Sequence, residues 1–408
     1  MADEDRVRLT VDADAQRRLW TLRAVGGGVG RPVVVGGAVY VPVPGGRIAA
    51  LDAESGQLRW CSEEIEKAKS AESVVAGEVV VVPVGWDRER KGFTALDAAT
   101  GKVRWTRRKS RLHRIAAVGD KTLVIWNDEN EERGAAIAGV DALTGETLWE
   151  DEFKRIYGLV VRGERVILDD GNIRALDGRG GEELWEEGSG SLLEQDGSED
   201  AAVFRSWSGG VRNTLAVRAS ETGRTLAETR FPDGKALKNS WHSPTLVDGN
   251  RALFAGPFER GVQLFSSAEP DRARFLGSWR LSRWRSGTLR EAVCVGDRVY
   301  VVTWRRQLYA ARIDDGRNLR RLSPTGPYGK VVRPHDLVAG PGYVLTWDRD
   351  TVALIRDGSA LWTKAVASPI LGGPVPLGHD RVLLQVRDRR TGETRLACVD
   401  AETGRHLG

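Results

Sequence analysis

Eleven residues, ALDAATGKVRW at positions 95–105, recur almost letter for letter as ALDAESGQLRW at 50–60. GVDALTGETLW (139–149) and ALDGRGGEELW (175–185) are further copies. Weaker versions are VRASETGRTLA from Val217, AARIDDGRNLR from Ala310, VALIRDGSALW ending at Trp362 and CVDAETGRHLG at 398–408. Their glycines, Gly56, Gly101, Gly145, Gly181, Gly223, Gly316, Gly358 and Gly404, are separated by 45, 44, 36, 42, 93, 42 and 46 residues. The interval of 93 is two periods, with a degenerate unit at GVQLFSSAEPDRARFLGSW. A period of ~40–45 residues means one supersecondary unit written many times, each burying its apolar faces against the next.

The motif predicts its own local structure. Alternating residues before the aspartate (Phe93-Thr94-Ala95-Leu96) form a strand. Asp97 accepts backbone N–H groups within the turn, and Gly101 supplies the positive φ that closes the hairpin. KVRW starts the returning strand, with Trp105 laying a large ring against neighbouring structure. Upstream of each copy lie two more strands split by a glycine turn, as in PVVVGGAVYVPV (32–43) and SVVAGEVVVVPV (73–84). Each period is thus a four-stranded antiparallel meander, the blade of a propeller. Nine such units follow residue 30, the last cut short at Gly408. TVDADAQRRLW (10–20) is a motif tail with no strands before it. The expected fold is all-β, one large propeller domain over 1–408. Residues 10–22 complete the last blade, which removes an exposed edge. Nine blades are counted, with eight as the alternative.

The Ala-x-Asp-x-x-x-Gly-x-x-x-Trp motif resembles the tryptophan-docking repeat of the pyrroloquinoline-quinone-like β-propellers, and the resemblance covers nearly the whole chain. It implies the fold and little about activity, because that family includes quinoprotein dehydrogenases, a bacterial outer-membrane assembly lipoprotein and extracellular sensor domains. The dehydrogenases clamp their quinone under adjacent cysteines beside a calcium ion. Here Cys61, Cys294 and Cys398 have no cysteine neighbours, and no calcium-loop ladder of Asp and Asn appears. No cofactor or metal is therefore expected. The lipoprotein role needs an export signal and a lipid-modified cysteine near the start, and Cys61 lies too deep for it.

Three unpaired cysteines and the acidic opening MADEDRVRLTVDADAQ, without an apolar core, point to a reducing cytoplasm. All three thiols are expected to be buried structural residues. No apolar run reaches the ~18–20 residues needed to span a bilayer. VGGGVG (25–30) leads into a strand, not a helix, and reads as a link between blades. SEEIEKAKSAES (62–73) reads as a solvated helical insertion. The net charge is only +4, but its distribution is uneven. Residues 141–200 hold 17 Asp and Glu against 6 Lys and Arg, a net of −11; residues 271–336 hold 15 Lys and Arg against 6 Asp and Glu, a net of +9. Opposed acidic and basic sectors suit a protein partner. Nucleic acid would ask for a continuous basic track.

Two constellations are candidate sites. Trp86, Trp126, Trp207, Trp304 and Trp347 fall outside the motif at the ends of second strands. With Arg305 and Arg306 after Trp304, and Arg283 in a basic link, they would give one propeller face an aromatic and arginine rim for a protein partner. The alternative site is the channel mouth, where innermost strands begin. Glu72, His113, Tyr157, His242, Arg290, Glu291, His335 and Asp336 gather there in sequence terms and would serve a small molecule or glycan, or a lyase- or hydrolase-like reaction. The histidines belong to widely separated blades, which argues against a shared metal. No nucleophile–base pair is legible. The expectation is a monomeric, non-enzymatic scaffold that binds another protein.

Overall fold

The computed structural model describes residues 9–405 except 26–27, 67–72, 86–91, 108–113, 127–133, 189, 193–200, 209–210, 231–244, 248–250, 257–260, 267–273, 281–288, 304, 313–319, 326–330, 334–335, 349–350, 366–372 and 388–393. Through 201–217 and 226–290 it describes the course of the strands but not the side chains. The regular elements among the described residues are all β-strands, arranged in nine antiparallel sheets. Eight have four strands in simple meander order, as in the second sheet: Val74–Ala76, Val79–Val84, Gly92–Asp97 and Val103–Arg107. The middle strands are apolar on both faces because a sheet covers each side. Val79–Val82 are completely buried, whereas the outer strand Val103–Arg107 is mostly exposed.

The ninth sheet is completed by the N-terminus and carries one strand more than the others. It has five strands, because the N-terminus contributes both Leu9–Asp14 and Leu19–Ala24. The second of these pairs with Thr394–Asp400, matching Thr21 to Ala397 and Arg23 to Arg395. The first then adds outside it, in register from Leu9 opposite Ala24 to Asp14 opposite Leu19. Asp14 makes the turn by accepting the N–H groups of Gln16 (3.1 Å) and Arg17 (3.2 Å), and Arg18 takes the left-handed position at φ 53° that glycine holds elsewhere.

Two compact units emerge from the contacts. One comprises Met1–Arg111, Leu143–Gly145 and Leu322–Gly408; the other comprises Leu112–Ala142 and Glu146–Arg321. In the first, a core cluster joins Trp20 and Leu22 to Val39, Val41, Leu51, Leu383 and Leu396. In the second, Val124, Ile137, Ile156, Val166, Leu168 and Leu176 form the corresponding core of the third and fourth sheets.

The repeat motif works as a three-way backbone junction. Asp97 Oδ1 accepts the N–H groups of Ala99 (3.1 Å) and Thr100 (2.8 Å), and Asp52, Asp177 and Asp400 do the same in their turns. The residue after the aspartate then serves two neighbours. Its N–H reaches the turn between the first two strands of its own sheet: Ala53 to Gly37 O (3.0 Å), Ala98 to Glu78 O (2.8 Å), Gly178 to Glu164 O (2.8 Å) and Ala401 to Asp380 O (2.7 Å). Its carbonyl accepts an indole N–H from the preceding sheet: Trp60 to Ala98 (2.9 Å), Trp149 to Gly178 (3.1 Å), Trp185 to Ser220 (3.1 Å) and Trp362 to Ala401 (2.8 Å). Trp20 donates likewise to Ala53 O at 3.3 Å, although it belongs to the ninth sheet and Ala53 to the first. The ring lies flat on the motif glycine, so a Cβ at Gly181 would sit 2.6 Å from Trp149 Cδ2. Glycine is required there for packing as well as for its φ of 79°.

Two expectations are corrected by burial. The described part of the 62–73 segment, residues 62–66 and 73, is not helical: Ser62 N–H bonds Ile48 O (2.8 Å), Ile65 N–H bonds Gly46 O (2.9 Å), and the Ile65 side chain is buried among Tyr40, Ile48 and Val80. One apolar side chain with a place in the core outweighs the local helical propensity. Cysteines are not uniformly buried either. Cys398 is enclosed, Cys294 is half-buried, and Cys61 is exposed because it ends an outer strand.

Candidate functional site

Each sheet has two ends. At one lie the motif turn and the turn between the first two strands, tied together by the backbone bonds above. Second strands finish at the other end. Trp126 is the last residue of Thr122–Trp126, and Trp347 the last of Tyr343–Trp347, so both stand at the end away from the motif turns of their sheets. Both are half-buried. Trp126 packs on the cluster that holds Ile137 and Val166, whereas Trp347 packs beside Leu345, Val352 and Leu384. Gly373 is close enough to the Trp347 ring that a Cβ there would fall 2.9 Å from Cζ2. These two rings are therefore structural on one side and presented on the other. They belong to separate clusters in separate units, so what they share is their place in the sheet. Trp207 lies in Ala201–Ser208, at the register shift between Ser206 and Ser208.

Arg305 and Arg306 are placed by a tight turn at the same sheet end. Arg306 N–H bonds Thr303 O (2.7 Å), Thr303 N–H bonds Gln307 O (3.0 Å), and Thr303 Oγ1 accepts Gln307 N–H (3.2 Å). Arg306 adopts φ 57°, and both arginine side chains are exposed. Trp86, Trp304 and Arg283 lie outside the described residues.

Of the channel-mouth candidates, Glu72, His113, His242 and His335 also lie outside the described residues. Tyr157 precedes the innermost strand Gly158–Arg162. Its backbone N–H bonds Asp169 O (2.7 Å), its ring is 62% exposed, and the Arg155 guanidinium stands 5.1 Å from the ring centroid. Arg290 sits at the register shift between Leu289 and Glu291 in Leu289–Val295, and Glu291 is half-buried. Asp336, also half-buried, directly precedes Leu337–Gly340, and its carbonyl accepts Thr346 Oγ1–H (2.9 Å). Among the described residues, no three His, Cys, Asp or Glu side chains form a group suited to a metal ion.

Two buried polar side chains escaped the sequence reading. Asp169, 4% exposed, ends the second strand of the fourth sheet and accepts the N–H groups of Gly171 (3.0 Å) and Leu192 (3.1 Å); burial raises its pKa above the ordinary value. It ties the fourth sheet to the fifth. Gln385, 2% exposed, donates from Nε2 to Val29 O (3.0 Å) and to Gly30 O, anchoring the glycine-rich link that VGGGVG was expected to form. Both had a signal in the sequence, a polar residue inside or ending an apolar strand (VILDD, VLLQV).

Comparison with known proteins fixes the kinship. A family model described as outer membrane protein assembly factor BamB matches residues 3–186 and 93–319. The chain belongs to that family. Its β-propeller fold and its pyrroloquinoline-quinone-like repeats follow from this membership and from the sheet topology. The outer membrane protein assembly factor BamB of Bordetella pertussis is 25% identical over 342 residues, covering 78% of this chain and 81% of that protein. Quinohemoprotein alcohol dehydrogenase ADH IIB of Pseudomonas putida is 38% identical over 76 residues, but these are 17% of this chain and 11% of the enzyme. The three cysteines lie on strands of three different sheets, so the adjacent pair of the quinone clamp has no counterpart. Among solved structures, Saccharomyces cerevisiae Sqt1 has a TM-score of 0.51 at 10% identity, covering 80% of this chain and 94% of its own. BamB from Moraxella catarrhalis has a TM-score of 0.49 at 15% identity, covering 96% and 99%.

Proposed function

We propose that the chain is a single β-propeller domain over 1–408 that serves as a scaffold for a partner protein, bound at the end of the sheets where second strands finish. The observation that carries this reading is the family match, because the family's description is that of an assembly factor. Exposed Arg305 and Arg306 support it: guanidinium groups fork onto carboxylates, and a turn that holds them outward reduces the ordering cost of docking. Half-buried Trp126 and Trp347 supply rigid apolar area already held by the core. We place the protein in the cytoplasm, a compartment suited to three free thiols with Cys61 at the surface.

Affinity capture followed by surface plasmon resonance against the captured partner tests the surface. Replacing both Arg305 and Arg306 with Ala slows association and flattens its salt dependence, whereas Trp347→Ala raises the dissociation rate. Wild-type binding by both variants would overturn this choice of surface.

A further inference from the structure

Three described residues other than glycine take the left-handed backbone region: Arg18 at φ 53°, Asp357 at φ 51° and Arg306 at φ 57°. That region is unfavourable for a residue with a side chain, so each needs a reason. Asp357 and Gly358 (φ 75°) make the two-residue turn between paired Arg356 and Ser359, where Asp-Gly is the favoured sequence. Arg18 pairs with Glu54 (3.3 Å) and with Asp380, which fastens the N-terminal hairpin in place. Neither account serves Arg306. It stands in the turn between Arg298–Thr303 and Leu308–Arg312 of the seventh sheet, its side chain is exposed, and among the described residues no carboxylate pairs with it. The corresponding turn of the first sheet is made with Gly45 (φ 73°) and Gly46 (φ 65°), and that of the fourth with Gly171 (φ 110°). Glycine would hold the seventh-sheet turn without steric strain.

Taking the docking surface proposed above, on which the assignment rests, we infer that Arg306 selects the partner and that the partner presents a short carboxylate-rich protein segment to it. The backbone strain is offset by what the guanidinium recognises outside the chain. Neighbouring groups favour a carboxylate. Arg305, also exposed, directly precedes Arg306. The Tyr309 hydroxyl donates to Gln307 Oε1 (2.9 Å), which leaves the Nε2 donors as what Gln307 offers. Burial raises the Tyr309 pKa and the charge of Arg321 opposes that rise, so a further guanidinium acts on this end of the sheet. Positive charge and donors gather at one turn, which suits a few carboxylates; a nucleic-acid backbone asks for a longer basic track.

The probe is a fluorescein-labelled octaglutamate peptide titrated with the full chain in an anisotropy assay, with octalysine and a thymidine octanucleotide as controls. Saturable octaglutamate binding is expected, with none of octalysine. Arg306→Gly should weaken it at least about fivefold, and Lys102→Ala, which removes the same charge from an exposed motif-turn position of the second sheet, less than about twofold. Arg306→Gly should also raise the melting temperature by about 1–3 °C, because it relieves the backbone; an arginine kept for stability would give the opposite shift. Absence of octaglutamate binding, equal binding by Arg306→Gly, an equal loss in Lys102→Ala, binding of octalysine, tighter binding of the oligonucleotide, or a lower melting temperature for Arg306→Gly would each overturn the inference. Octaglutamate binding tests Arg306, whereas capture of the partner by the Arg305 and Arg306 double variant tests the surface, so failure of one is distinguishable from failure of the other.

Discussion

Replacing Gly181 with alanine tests whether the motif glycine is there for its backbone conformation or for the tryptophan. Gly181 has φ 79°, and its Cβ would lie 2.6 Å from Trp149 Cδ2 and 2.7 Å from Cγ. Gly163, in the same sheet, has φ 58° with Arg165 Nη1 at 4.0 Å as its nearest neighbour. An alanine in the left-handed region costs about 1–2 kcal/mol, so Gly163→Ala measures that term alone. Gly181→Ala adds the displacement of a packed ring, about 1–3 kcal/mol for overpacking, to give a total of about 2–5 kcal/mol. If the ring is the cause, the excess disappears in a Trp149→Ala background, where Gly181→Ala falls back to about 1–2 kcal/mol. Urea unfolding followed by far-UV circular dichroism gives these differences, with a constant slope as the check that the transition is unchanged. A Gly181→Ala cost no larger than that of Gly163→Ala would refute the docking argument.

Two further outcomes follow from the same junctions. Trp20 is fully buried and joins the N-terminal hairpin to the first-sheet turn, so Trp20→Ala should cost about 3–5 kcal/mol and Trp126→Ala, only half-buried, distinctly less; a loss below about 1 kcal/mol for Trp20→Ala contradicts the closure role. Asp52 is held well below the ordinary 3.8 by the Ser55 backbone N–H (2.8 Å) and then by Arg59 (2.7 Å). A depressed folded value means stability that is present above pH 3.8 and lost as pH falls through the folded value. The gap in melting temperature between wild type and Asp52→Asn should therefore be constant near neutrality and narrow below about pH 4. A gap independent of pH would assign the effect to shape alone.

Much of the architecture could be read from the chain because its instructions are local. Asp97 capping its own turn, the left-handed glycine at Gly101 and the apolar runs of Val79–Val84 act within a few residues of themselves, and the 40–45-residue period multiplies them. The N-terminal hairpin was only partly legible. Aligned on Trp20, the motif puts its aspartate at Asp12, but the residue that caps the turn is Asp14, and Arg18 occupies the glycine position. Spacing alone cannot tell which of two aspartates two residues apart will face the backbone N–H groups.

The sequence by itself determined the strands, the hairpins and the identity of the residues that would meet between sheets. Tertiary structure alone decided what each of them meets: that the carbonyl of the residue after the aspartate receives an indole from the preceding sheet, that Asp169 and Gln385 spend their polarity on neighbouring backbone, that Ile65 is buried and Cys61 is not, and that Trp126 and Trp347 are half committed to the core. Turn chemistry is settled by atoms two to four residues apart, so it is written in the chain. Burial of a given side chain depends on surfaces brought from other strands and other sheets, and residues of one type at equivalent repeat positions part company only when those surfaces are in place.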